Sequence, residues 1–273
     1  MMDDLRRELA PISSAAWEEI DNEAKGTLEL HLAGRKVADF SGPSGWDTSA
    51  VGLGRVNTLE RQPTDGVSAA LRAVQPLVEL RAPFTLSREE LAALDRGARD
   101  ADLQPVKDAA RAIARAEDHA IFHGYADAAI AGICETADSA ALTLSEDYQA
   151  YPAVVTNALS ILRSEGIAGP YAIALGPKCY KGLTRTTSQG GFPVIQHVQE
   201  LLDGPVIWAP AVDGAVVLSL RGGDFELVVG RDLSIGYQHH TASSVELYIV
   251  ESFTFHVLTT EAAVPLVYGK AKK

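Results

Sequence analysis

His119 and His123 stand four residues apart, with Glu117 and Asp118 just before them. On a helix this spacing puts both imidazoles on one face, the geometry that a divalent metal needs. No acid lies between them and no third ligand is evident, so the stretch reads better as a polar helix edge or a hydrogen-bonded histidine. His239-His240 reads as a solvated polar turn. Asp39, Asp224 and Asp232 could serve as acids, but no two are spaced as a dyad. Cys134 and Cys179 are the only cysteines and lie far apart, which excludes a disulfide framework, a zinc ribbon and a Cys-x-x-Cys redox site. Both read as reduced, partly buried thiols. There is no Walker loop, no Gly-x-Ser-x-Gly elbow and no His-Glu-x-x-His, and Gly52-Leu53-Gly54 lacks the third glycine of a dinucleotide fingerprint. The expectation is no enzyme, no metal site and no cofactor.

Composition narrows the field further. The chain has 273 residues, 47% hydrophobic and 22% charged, enough for one large domain or two modest ones around a real core. Thirteen prolines and 23 glycines are too few for a fibrous or disordered chain. No apolar run reaches membrane-spanning length, so no membrane partner is expected. Met1-Met2-Asp3-Asp4 is too acidic and polar to open a secretory signal, which makes the cytoplasm the expected location. A net charge of −12 repels phosphate and argues against specific nucleic-acid binding. The clearest basic cluster, Lys270, Lys272 and Lys273, is a tail and not a groove.

The elements that must position these residues form an α+β pattern. Leu5, Leu9 and Ile12 could line one face of a short helix broken at Pro11. After Ser13 and Ser14, either of which could cap, Trp17, Ile20, Ala24 and Leu28 recur at helical spacing. Val37 to Phe40 looks like a strand. Residues 41–75 carry many Gly and Pro, and alternation at Val51, Leu53 and Val56 with a turn at Thr64-Asp65-Gly66 predicts an extended hairpin. So long a segment with so little around it must find its packing partner elsewhere, and a neighbouring subunit would serve. A strand through Val78, Leu80 and Phe84 precedes Ser87-Arg88-Glu89-Glu90, a capping box in which Ser and Glu satisfy orphan amides. Val106, Ala109, Ala110, Ile113, Ala116, Ala120 and Ile121 mark one long amphipathic helix to about Gly124. Helices and strands alternate over 151–220, with a Gly/Thr/Ser-rich loop at 181–191. The rest is strand: Phe225, Leu227 and Val229, then Val245, Leu247 and Ile249, then 253–258.

An ordered set of blocks resembles the encapsulins, bacterial compartment shell proteins. Leu9-Ala10-Pro11-Ile12, Trp17-Glu18-Glu19-Ile20 and Ala33-Gly34-Arg35-Lys36-Val37-Ala38-Asp39-Phe40 are similar to the family's N-terminus. Arg81-Ala82-Pro83-Phe84, Glu117-Asp118, Gly169-Pro170-Tyr171 and Trp208-Ala209-Pro210 follow in the family's order. The strongest match is Arg221-Gly222-Gly223-Asp224-Phe225, then Gly230 to Tyr237, then Glu251-Ser252-Phe253-Thr254-Phe255. Pro105 to Ala109 and Ile207 to Pro210 have an actinobacterial flavour.

The resemblance implies the Hong Kong 97 phage-type capsid fold. It implies an N-terminal lumenal helix in 1–40, an inter-subunit arm in 41–75 and a peripheral domain with a long spine helix in 76–134. An axial domain in 135–220 would carry a five-fold pore loop of Thr184, Arg185, Thr186, Thr187, Ser188, Gln189, Gly190 and Gly191. Strands returning to the peripheral domain and a tail would fill 221–273. That loop lacks the acidic residues common in relatives, which implies a less negative pore. The chain would assemble with itself, sixty copies or a multiple. A cargo tail would dock on Leu5, Leu9, Ile12, Arg35, Asp39, Leu233 and Ile235, its owner a dye-decolourising peroxidase, a ferritin-like protein or another iron-handling protein. An alternative with the same fold is a phage or prophage major capsid protein enclosing DNA. A peptidase or secreted bacteriocin would need a nucleophile–base pair or an export signal, and neither is visible.

Overall fold

The first helix, α1 (Ser14–His31), starts where Ser13 accepts a hydrogen bond from the Ala16 amide, and it buries Ala16, Ile20 and Ala24. The structure is a computed structural model and describes residues 4–61, 63–188 and 190–269. Gln189 of the expected pore loop and the Lys270, Lys272 and Lys273 tail lie outside the described residues. No helix forms over Leu5, Leu9 and Ile12, where only a single 3-10 turn, Arg7–Leu9, is present. Pro11 explains this, because a residue before proline is driven out of helical conformation and Ala10 is extended at φ −76°, ψ 137°. The three side chains therefore share no face. Gly34–Lys36 forms a second 3-10 turn, and the strand β1 begins later than expected, at Asp39–Ser41.

β2 (Ala50–Thr58) and β3 (Ala70–Pro76) pair antiparallel as a hairpin that stands apart from both larger sheets. Its apolar side chains find little cover: Leu71 is 62%, Val56 57% and Val74 54% exposed. β4 (Val78–Ser87) leads into α2 (Arg88–Asp95), capped by Ser87 through the Glu89 amide. Among the described residues no reciprocal bond joins the Ser87 amide to a Glu side chain. Glu90 instead accepts from the Asp102 amide and ties down the approach to α3 (Gln104–His123). α3 buries Val106, Ala109, Ala110, Ile113, Ala120 and Ile121 of the predicted stripe, while Ala116 stays exposed.

α4 (Ile133–Thr136), β5 (Leu142–Leu144) and α5 (Tyr151–Ser164) precede β6 (Tyr171–Leu175), whose five residues are all buried, the signature of a strand covered on both faces. α6 (Pro177–Arg185) occupies the first half of the segment expected to be loop. Composition misleads there because Gly182 is not a breaker. A Cβ at that position would lie 2.0 Å from the Tyr148 ring, so glycine is what lets α6 approach. α7 (Val194–Leu202), β7 (Val206–Trp208), β8 (Ala215–Ser219), β9 (Phe225–Val229), β10 (Ser234–His240), β11 (Ser244–Val257) and β12 (Ala263–Tyr268) complete the chain.

β11 is the axis of the first five-stranded sheet. One edge pairs antiparallel with β4, from Ser244↔Ser87 to Phe253↔Val78. The other pairs first with β10 and then with β9, and β1 runs parallel beside β9. The alternation at Val245, Leu247 and Ile249 and the apolar run after it are thus one continuous strand. The second sheet has the order β5-β12-β8-β6-β7. α1, α2 and the first half of α3 pack on β4, β10 and β11 around Ile20, Ile113 and Leu247. A larger core runs from the second sheet through Phe122 on α3 to Phe253 and Phe255 on β11, joining the two sheets. Each of these buried phenylalanines contributes about 2 kcal/mol by leaving water.

Candidate functional site

A groove of about 820 Å³ opens between the C-terminal half of α1, the start of β10 and the N-terminal segment. Ala24, Leu28 and Leu32 line it from the helix side, and Leu233, Ile235 and Ile249 from the sheet. Its rim is charged, with Arg7, Asp21, Lys25, Glu29, Lys36 and Asp232. The N-terminal segment is tied across one end. The Tyr237 amide donates to the Leu5 carbonyl at 2.8 Å. Arg7 pairs with Asp21 at 2.7 Å and lies over the Trp17 ring, 3.9 Å from its centroid. The result is an apolar trough with both signs of charge at its lip.

Arg35 forms part of the wall, and its side chain is 16% exposed. Nε and Nη2 both donate to Glu117, the latter at 2.6 Å, while Nη1 donates to Asp232 at 2.7 Å and Nη2 also to Glu251 at 3.1 Å. Burial works against the guanidinium charge, yet Glu117, Glu251 and Asp232 together raise its pKa above the usual value. Burial pushes the Asp118 carboxyl up to about 7, although it accepts the Gly34 and Ala33 amides at 2.8 and 2.9 Å. Glu117 and Asp118 thus belong to the floor beneath the groove, not to a metal pair with the histidines.

The structure brings together four of the seven residues expected to receive a cargo tail: Leu5, Arg35, Leu233 and Ile235. Leu9 is 60% exposed on its 3-10 turn and does not line the groove. Ile12 packs half-buried against the α1–α3 core. Asp39 points to the β8–β9 turn, where it accepts the Gly223 amide at 2.6 Å. Ala24, Leu28, Leu32 and Ile249 are apolar lining residues that were missed; helical spacing makes Ala24 and Leu28 legible as one face, but not that this face stays open.

Of the expected pore residues, Thr184 and Arg185 are the last turn of α6, and Thr184 donates to the Tyr180 carbonyl. Thr186 donates to the Gly182 carbonyl, and Thr187 bridges to Pro193. Ser188 and Phe192 exchange backbone and side-chain bonds around Gly190 and Gly191, with Gly191 at φ 79°. The segment is therefore a helix end followed by a tight turn.

Other chemistry-bearing residues are held apart. The His119 and His123 rings lie 5.2 Å apart, and His123 Nε2 faces the Ala211 carbonyl at 3.1 Å. Burial and His119 lower the His123 pKa. Among the described residues no group of three or more His, Cys, Asp or Glu is placed to hold a metal. His239 and His240 lie on β10 and not in a turn, against Glu246 and the Tyr237 hydroxyl respectively. Asp224 pairs with Arg221 at 2.8 Å. Burial pushes the Cys134 thiol up to about 12, and buried Cys179 sits 3.2 Å from the hydroxyls of Tyr151 and Tyr268. No helix among the described residues is long and apolar enough to cross a membrane.

Residues 2–254 match the sequence model of the family described as Linocin_M18, encapsulating protein for peroxidase. The chain belongs to the encapsulin family. It is 57% identical to the type 1 encapsulin shell protein of Rhodospirillum rubrum over 270 residues, covering 97% of this chain and 96% of that one. It is 49% identical to that of Rhodococcus erythropolis and 48% to that of Mycobacterium tuberculosis, each over 97% of this chain and at least 99% of the relative. These encapsulins are named as shell proteins, structural rather than catalytic. The virus-like particle of Pyrococcus furiosus superposes with a TM-score of 0.62 at 15% identity, over 91% of this chain and 98% of that one. Microbacterium phage Oxtober96 gives 0.59 at 10% identity, over 88% and 91%. The fold is the α+β capsid fold of the Hong Kong 97 type.

Proposed function

We propose that this chain is the shell subunit of a closed icosahedral compartment and that the α1–β10 groove holds the tail of a cargo protein. Sixty copies or a multiple close such a shell. The observation that carries the docking reading is the groove: apolar side chains line it from two elements, yet charge rims its lip. A flexible tail with Leu or Ile anchors and a few polar groups suits that chemistry. The bare apolar hairpin of β2 and β3 is the arm through which neighbours lose water on assembly. Thr184 to Gly191, at the end of α6, would surround the five-fold pore. The cargo class is an enzyme, a peroxidase first because the family description names one, and a ferritin-like or other iron-handling protein otherwise.

Electron microscopy of the purified chain should show uniform hollow spheres carrying one copurified protein, and Leu233→Asp should empty them while leaving the spheres intact. The second reading, a DNA-filled phage or prophage capsid, shares the fold. It is disfavoured by the net charge of −12, and copurification of DNA of one defined length would establish it instead.

A further inference from the structure

We propose that Glu251 carries a proton donated to Glu117, and that this buried carboxyl pair positions Arg35 so that the groove holds a cargo tail only while the proton stays. This rests on the docking reading of the groove. Glu117 on α3 and Glu251 on β11 are both fully buried, and one guanidinium serves them together with Asp232. Glu117 takes the bidentate side of Arg35, and Glu251 Oε2 receives only the longer 3.1 Å contact. Glu251 Oε1 is buried with no hydrogen-bond partner. An ionised carboxylate oxygen left in that state is expensive, whereas the carbonyl oxygen of a neutral acid is far cheaper to leave bare. Glu117 Oε2 and Glu251 Oε2 both close on the same guanidinium nitrogen, Nη2, at 2.6 and 3.1 Å, and two buried carboxylates brought together in this way repel each other unless one keeps a proton. Burial first, and then Glu117, raise the Glu251 pKa well above its usual value, against the opposing pull of Arg35 and with Asp232 adding to the rise.

The link to the groove runs through named contacts. Arg35 Nη1 holds Asp232 Oδ1 at 2.7 Å, and the same oxygen accepts the Leu233 amide at 2.8 Å. Leu233 is a wall of the groove. Loss of the proton leaves two adjacent buried carboxylates with Arg35 as their counter-charge. The guanidinium is then drawn inward, away from Asp232, and the start of β10 loses its tether. Glu117 and Glu251 are thus positioning residues, acting on a tail they never touch. Asp118 and Lys36, the other charged groups of this floor, interact with Glu117 and Asp118 respectively.

Infrared spectroscopy of intact particles containing ¹³C-labelled glutamate tests the proton directly, because the label separates a protonated Glu from Asp118. A protonated glutamic-acid carbonyl band at neutral pH, lost on raising the pH and absent in Glu251→Gln, is expected. Ionised glutamates throughout, in wild type alone, would overturn the proposal whether or not the variant assembles. The second arm uses shells reassembled around a rhodamine-labelled Gly-Ser decapeptide carrying two leucines and one isoleucine. Its anisotropy should report about tenfold weaker binding when wild-type shells pass from pH 6 to pH 9. Glu251→Gln, whose amide can donate to Glu117 but cannot ionise, should hold the peptide across that range. An unchanged pH response in Glu251→Gln would sink the coupling even with the band present. A peptide that tumbles freely at every pH would instead refute the docking reading and the coupling with it, while the infrared result still decides the proton.

Discussion

Asp118 on α3 holds the Gly34 amide at 2.8 Å, and Gly34 lies so close to the helix that a Cβ there would stand 2.4 Å from Ile121 Cδ1. The same carboxylate takes the Ala33 amide, so one side chain fixes the chain as it leaves α1 and enters the Arg35 turn. Gly34 is required here by close approach, not by an unusual φ. Gly34→Ala should cost about 1–3 kcal/mol through overpacking against the fully buried Ile121. Chemical denaturation of the subunit checks this, and an unchanged midpoint would show that Ile121 can yield.

The partners of Arg35 show what a sequence hides. They lie 82, 197 and 216 residues away, so no local spacing points to them. What was legible is local and periodic: the α3 stripe, the Ser87 cap and the hairpin turn at Gly66. Family blocks flagged Glu117-Asp118 and Glu251 without giving them a task. The reading of 181–185, the second half of α6, as loop failed because glycine content stood in for flexibility, when Gly182 is a packing surface for Tyr148. Resemblance selected all seven expected groove residues, and four of them converge: Leu5, Arg35, Leu233 and Ile235. Leu9 and Ile12 diverge because Pro11 denies them a common helix face.

Groove and turn should separate in a loading assay. Leu233→Asp places a charge in the apolar trough and should lower cargo content at least tenfold at unchanged particle yield. Leu9→Asp alters a side chain already 60% exposed and off the groove, and should load normally. Cargo-to-shell ratio by densitometry reads both. Equal losses in the two variants would place the docking surface on the N-terminal turn instead.

The buried acids give stability a direction with pH. The Asp118 carboxyl, unfolded, loses its proton near 3.8, whereas burial holds the folded value up to about 7. Between those values the folded chain keeps a proton that the unfolded chain has lost, so stability is greatest on the acid side and declines as pH rises. Glu251 acts in the same direction. Melting temperature should therefore fall from about pH 5 to pH 7.5, and less steeply in Asp118→Asn. A wild-type profile that climbs through this window would contradict the assignment.

The hairpin separates folding from assembly. Leu71 on β3 is 62% exposed and touches neither core, so Leu71→Asp should change subunit stability by no more than about 0.5 kcal/mol. In a shell the same side chain would meet a neighbour, and an aspartate buried there without a partner is costly enough to block association. Light scattering and electron microscopy should then find soluble, folded subunits and few closed particles. Val74→Asp, 54% exposed on the same strand, should behave alike. Normal spheres from both variants would mean that the arm's apolar side chains stay in water after assembly, and another surface would have to supply the driving force.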